Sequence, residues 1–138
     1  MIPLIVTLPL LFSFILIIFT FFEKYKRYLK TTFLIGLLSA WPIFILNISN
    51  LPVGTVVGGW KRISGVEIEL NSLNYYLILV ELIVFSLVGV YSLFYFDSDK
   101  RRDSSFSSKM VFPLILLLYS GILGCFLTRD LFNFFVYF

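Results

Sequence analysis

Apolar residues dominate the chain in four long runs separated by short polar segments. The first, Ile2 to Phe22, carries no charge. A helix needs about twenty apolar residues to cross the hydrocarbon core of a bilayer, so this run predicts a span over residues 2–22. A signal peptide would place cations before the run and a small-residue cleavage site after it. Here no cation precedes it, and Glu23, Lys24, Tyr25, Lys26 and Arg27 follow. The second run predicts a span over 31–49, with a kink at Trp41-Pro42, a break that neighbouring helices tolerate by re-satisfying the freed carbonyl. The third predicts a span over 73–96 and the fourth a span over 110–128. Pro113 is expected in the first turn of the fourth, where its missing N–H costs nothing. Residues 131–138 are apolar again and predict a partial fifth helix, with Asp130 near its start, where an acid suits the helix dipole. The pattern reads as a single multi-pass membrane domain over 1–138.

The one long connection, Asn50 to Ser72, has a different period. Val53 to Val57 is rich in β-branched residues, Gly58-Gly59 signals a tight turn, and Val66, Ile68 and Leu70 alternate with Glu67 and Glu69. Alternation at period two is a strand pattern. It predicts a β-hairpin with its apolar side on the protein and its acids toward water.

Composition agrees with the bilayer assignment. Of 138 residues, 59% are hydrophobic and 14% charged, against about 45–50% and 25% in soluble domains. The net charge of +3 does not indicate nucleic-acid binding, because the cations lie in short connections between spans, where topology rules place them. Lys24, Lys26, Arg27 and Lys30 fall in the first connection, and Lys100, Arg101, Arg102 and Lys109 in the third. Lys61, Arg62 and Arg129 fall on the opposite side. The excess assigns residues 23–30 and 97–109 to the cytoplasm, and the N-terminus and hairpin to the outside. The fold class is therefore all-α integral membrane: about four transmembrane helices plus a partial fifth, with a short extracytoplasmic β-hairpin. The single cysteine, Cys125, and the absence of histidine leave no disulfide framework and argue against a zinc, haem or iron–sulfur site built by these residues alone.

Candidate chemistry is sparse. Glu81 is an acid about a third of the way into the third span. Such a group costs about 2.5–3.5 kcal/mol on insertion scales and so should face protein or water. It reads either as an ion-relay position or as a protonated or hydrogen-bonded side chain joining two helices. Gly121 and Gly124, with Ser120, form a small-residue patch suited to a closely approaching helix. Asp130 reads as a helix cap, Arg129 as a headgroup anchor or half of an ion pair, and the Asn133 amide needs a partner, which another chain could supply. No phosphate loop, paired-carboxylate site or Ser/His/Asp set is present, so no catalytic residue, cofactor site or metal site is assigned.

Phe112, Pro113 and Leu114, then Gly121, Gly124, Phe126, Leu127 and Thr128, then Asp130, Leu131, Phe132, Asn133 and Val136, form a set that resembles a signature of the Mrp-type cation/proton antiporter D subunits. The signature is shared with their relatives in membrane-bound hydrogenases, archaeal sulfur-reducing complexes and respiratory complex I. Gly58-Gly59-Trp60 and the Gly65–Leu70 segment are similar to the family as well. Arg129 departs from it, standing where a small residue is usual, and Asn71 and Asn74 stand near positions where the family has Asp and Ser. The resemblance implies the N-terminal part of a much longer ion-translocating subunit, whose proton-handling Glu would lie just beyond Phe138. The expected function is that of a small membrane subunit, itself not an enzyme, that packs and seals an antiporter-like module in a redox-driven respiratory complex. Gly121, Gly124, Asp130 and Asn133 would dock a longer antiporter-like chain, and iron–sulfur clusters would reside in partner subunits. The alternatives are a homo-oligomeric transporter or channel centred on Glu81, or a fragment of an Mrp Na⁺/H⁺ antiporter.

Overall fold

The computed structural model describes residues 2–57, 66–98 and 106–138. The Gly58-Gly59-Trp60 turn, Lys61, Arg62, and Lys100 to Arg102 of the third connection lie outside the described residues.

Six helices and one hairpin follow in order: α1 (Pro3–Phe21), a 3₁₀ segment Glu23–Tyr28, α2 (Leu29–Leu38), α3 (Ala40–Asn47), β1 (Val53–Val57), β2 (Val66–Leu70), α4 (Ser72–Ser98), α5 (Phe106–Leu127) and α6 (Leu131–Tyr137). Four spans result, because α2 and α3 together form one membrane-length rod over Leu29–Asn47. At 1.5 Å per residue, a nineteen-residue span such as Pro3–Phe21 is about 28 Å long, close to the thickness of the hydrocarbon core.

The spanning helices bury part of their surface, and α6 buries no residue fully. In α1 the buried stripe is Ile5, Pro9, Ser13, Leu16 and Thr20, spaced three or four apart as one face of a helix requires, with Val6 beside Ile5. This stripe packs along α5, where Phe112, Leu116, Tyr119, Leu123 and Leu127 are buried at the same spacing. The Ser13 hydroxyl donates to the Pro113 carbonyl at 2.8 Å and ties the two helices inside the core. Gly36 of α2 completes the three-helix contact. A Cβ there would lie 2.7 Å from Phe12 Cβ and 2.6 Å from Leu116 Cδ1, so only glycine permits this approach. Phe33 and Phe112 pack with ring centroids 5.0 Å apart.

The break in the second span falls at Ser39, three residues before Pro42. The cause is steric: a proline ring clashes with the carbonyl four residues earlier, here that of Leu38, the last residue of α2. The Ser39 hydroxyl turns back to the Gly36 carbonyl at 2.7 Å. Trp41 donates its indole N–H to Ser86 Oγ at 3.0 Å and fastens the bent segment to α4.

Two helices depart from the boundaries read in the sequence. Helix α4 runs on to Ser98, and α5 begins at Phe106, so residues 97, 98 and 106–109 of the expected third loop are helical. Pro113 consequently lies inside α5 and not in its first turn, because the Ser-rich segment before it continues the helix.

The hairpin pairs β1 with β2 antiparallel, in register from Val53↔Leu70 to Val57↔Val66. Ile68 and Leu70 are buried in the core, as the alternation requires. Glu67 and Glu69 are not directed simply toward water: their side chains are about one-fifth exposed (20% and 21%) and both engage Arg129.

Candidate functional site

The polar residues collect in two places: a knot at the hairpin end of the bundle and a pair inside it. At the knot, Asn71 Oδ1 accepts the backbone N–H groups of Leu73 and Asn74, each at 3.0 Å. Asn74 Oδ1 accepts the Asn71 N–H in return at 2.6 Å. This is the reciprocal arrangement of a capping box, built from two amides, and it starts α4. The Asn74 amide donates further, to the Glu69 carbonyl at 2.6 Å and the Phe126 carbonyl at 3.1 Å. One nearly buried side chain therefore joins β2, α4 and α5.

Arg129 closes the other side of the knot. Its N–H donates to the Glu67 carbonyl at 3.0 Å, next to the bridge between Ile68 and Thr128. Its guanidinium bonds Glu69 Oε2 at 2.6 Å and lies 3.8 Å from Glu67 Oε1. Arg129 is thus half of an ion pair that anchors the hairpin. Asp130 caps α6, its Oδ1 accepting the Phe132 N–H at 3.1 Å, and its Oδ2 accepts the Asn133 amide at 3.3 Å. Asn133 is therefore partnered within the chain.

The chain turns at Asp130, and α6 folds back along α5. Gly121 and Gly124 form the seat: a Cβ at Gly121 would lie 3.1 Å from the Tyr137 carbonyl oxygen, and one at Gly124 would collide with the Tyr137 ring. The Cys125 thiol is 3.8 Å from the Phe134 carbonyl. A groove of about 280 Å³ remains beside α6, lined by Leu118, Gly121, Cys125, Tyr137 and Phe138 among others. Leu131, Phe132, Phe135, Val136 and Phe138 stay exposed. The glycine patch thus receives a helix, from this same chain.

Inside the bundle, Glu81 of α4 is 5% exposed, and neither carboxyl oxygen has a hydrogen-bond partner among the described residues. The Tyr119 hydroxyl of α5 is fully buried and likewise without a partner. Phe85, one turn beyond Glu81, packs on Tyr119 with ring centroids 5.1 Å apart. Sequence reading singled out Glu81 but not Tyr119, nor Asn74 as a structural tie. The spacing of Asn71 and Asn74 was the available signal for the cap. Nothing in the sequence marks Tyr119 among its eight tyrosines. Among the described residues, no three His, Cys, Asp or Glu side chains come together to hold a metal ion.

No family model matches the chain. The antiporter protein mnhD2 of Staphylococcus epidermidis is 29% identical over 138 residues, covering 96% of this chain and 26% of that one. The D subunit of the Na⁺/H⁺ antiporter of Bacillus subtilis is 38% identical over 82 residues, covering 59% of this chain and 15% of that one. Among solved structures, a chain of the membrane-bound sulfane sulfur reductase, an archaeal respiratory membrane complex, has a similar fold. The TM-score is 0.74 and the identity 21%, with 99% of this chain and 27% of that chain covered. The chain spans about a quarter of the length of the mnhD2 relative. These 138 residues are a multi-pass membrane segment related to the D subunits of Mrp-type antiporters, as the residues from Phe112 onward implied.

Proposed function

We propose that this four-span segment forms the opening helices of an antiporter-like, ion-translocating module within a multisubunit, redox-driven membrane complex of the hydrogenase or sulfur-reductase type. It packs and seals that module and is not itself an enzyme. A longer antiporter-like chain supplies the translocating helices, and the iron–sulfur clusters belong to partner subunits. The N-terminus and hairpin face outside, and the connections around 23–30 and 97–109 face the cytoplasm, following the excess of cations in those connections.

The observation that carries the sealing role is the way Ser and Thr hydroxyls of the spans, buried or half-buried, are satisfied. Thr20, Ser39, Ser86, Ser92 and Ser120 each donate to a carbonyl three or four residues back on their own helix. Hydroxyls bonded in this way spend their donor within their own helix, while the Ser13–Pro113 and Trp41–Ser86 bonds each tie two helices. Apart from Ser13, Asn74, Glu81 and Tyr119, the rest of the interior is aliphatic or Phe. Such a core supports and insulates a path located elsewhere.

The test is purification in mild detergent through a tag on this chain, followed by mass spectrometry of what accompanies it. Recovery of a long antiporter-like subunit together with iron–sulfur proteins is expected. Recovery of this chain alone, as a defined oligomer, would replace the proposal with an independent transporter centred on Glu81.

A further inference from the structure

Glu81 and Tyr119 are not used by the packing role. Two contacts bracket Glu81 along the α4–α5 interface. Toward the hairpin, Asn74 bonds the Phe126 carbonyl at 3.1 Å. Toward the opposite end, Phe85 packs on Tyr119. Glu81 lies between Asn74 and Phe85 on the inward face of α4, with Ile78 and Leu82 buried beside it. It therefore stands opposite the turn of α5 that runs from Tyr119 to Leu123. Nine residues separate it from the start of α4 at Ser72, about 14 Å of helix, well inside the hydrocarbon region.

The charges available to Glu81 are few. Along the helices of the four spans, the cations are Lys30, in the first turn of α2, and Lys109, in the first turn of α5. Both turns are at the end of the bundle remote from the hairpin, whereas Glu81 lies in the half of α4 nearer the hairpin. The titratable groups near enough to feel a charge on Glu81 are the Tyr119 phenol and the Cys125 thiol, the latter set against the Phe134 carbonyl of α6. None of them carries a positive charge. An unpaired carboxylate away from water costs many kcal/mol, so such a group is carried neutral instead. A neutral carboxyl has one O–H donor and a carbonyl acceptor, and a phenol both donates and accepts. The two groups are chemically complementary, and neither has a hydrogen-bond partner among the described residues, the other group included.

We propose that Glu81 and Tyr119 form an intramembrane proton-binding site between α4 and α5: the Glu81 carboxyl holds an exchangeable proton, and the Tyr119 hydroxyl is its hydrogen-bonding counterpart, directly or through one water. The ligand is a proton, not a metal ion, since a single carboxyl and a phenol give a cation too few oxygens. The site exists whether or not the segment belongs to a respiratory complex, so its test is separate from the purification test.

Infrared spectroscopy of the intact assembly, in membranes buffered well above the range in which exposed carboxylic acids ionise, reads the site directly. The expected result is a carbonyl band of a neutral carboxylic acid that moves to lower frequency in D₂O and is lost in Glu81→Gln. In Tyr119→Phe the band should persist but move to higher frequency, because its hydrogen bond is gone. A spectrum in which Glu81→Gln removes only carboxylate bands would overturn the proposal, since Glu81 would then be ionised and paired with a cation. An acid band unmoved by Tyr119→Phe would overturn the two-residue site. Should Glu81→Gln fail to assemble, the unmutated protein and Tyr119→Phe still decide: no deuterium-sensitive acid band, or one that Tyr119→Phe leaves in place, refutes it.

Discussion

Asn74 and Arg129 both hold the hairpin, and they differ in what their removal leaves behind. Asn74 is almost buried and satisfies two carbonyls and one N–H. Replacing it with Leu leaves those groups without their side-chain partner in a nearly buried site, at about 1–3 kcal/mol for each group that water cannot reach. Arg129 is 56% exposed at its side chain, so its ion pairs are screened and contribute on the order of 0–1 kcal/mol. Asn74→Leu is therefore expected to lower the thermal midpoint in detergent clearly, and Arg129→Ala only slightly. Circular dichroism melts of the two variants check this, and equal shifts would contradict it. The sequence shows the Asn71-x-x-Asn74 spacing and so the cap. It does not show the bonds to Glu69 and Phe126, because these depend on where β2 and the end of α5 are brought in space. Glu81 is legible for the opposite reason: an acid in an apolar run stands out without knowledge of its neighbours. Tyr119, one of several aromatics on α5 and its neighbours, does not.

At the scale of elements, two glycines distinguish a contact the bundle needs from one that only positions α6. A methyl at Gly36 meets Phe12 Cβ and Leu116 Cδ1, and Phe12 Cβ is fixed to the backbone of α1. Gly36→Ala must therefore push α1 from α2, an overpacking cost of about 1–3 kcal/mol, visible as a lower melting midpoint. At Gly124 the obstacle is the Tyr137 ring, on a helix whose residues are all at least partly exposed. Gly124→Leu should displace α6 and leave the four spans in place. Cys125, beside Phe134, reports on this: its reaction with a lipid-permeable maleimide should rise several-fold in Gly124→Leu, with an unchanged melting midpoint. Unaltered labelling would mean that α6 does not rest on this seat. The four spans and the hairpin follow from hydrophobic run length and alternation, which is why they were readable. The break at Ser39 and the interior position of Pro113 were less so. One depends on a clash propagated four residues back from Pro42, the other on a polar Ser-rich stretch continuing a helix whose apolar part begins only at Met110.

For the molecule as a whole, the informative quantity is how little of each span the chain itself encloses. Between 28% and 44% of the residues in each span are buried, with α4 the least covered. The outward face of α4, including Leu73, Tyr76, Val80, Leu87, Tyr91 and Phe94, suits lipid or the flank of a neighbouring subunit equally in composition, since both are apolar. Orientation is the global property that can be settled independently of what covers this face. At 27 residues, α4 is about 40 Å long at the helical rise, more than the hydrocarbon core needs. Its excess continues from Phe96 into the polar residues before the third connection. In the proposed orientation, the basic connections 23–30 and 97–109 place that end in the cytoplasm. The hairpin end carries fewer cations, and one of them, Arg129, is already paired with Glu69. A cysteine at the exposed position Val57, in a background where Cys125 is Ser, should react with a membrane-impermeant maleimide in intact cells. A cysteine at exposed Tyr25 should react only after the membrane is opened. The reverse pattern would invert the assignment, and with it the side of the membrane toward which the Asn74–Arg129 knot closes the bundle.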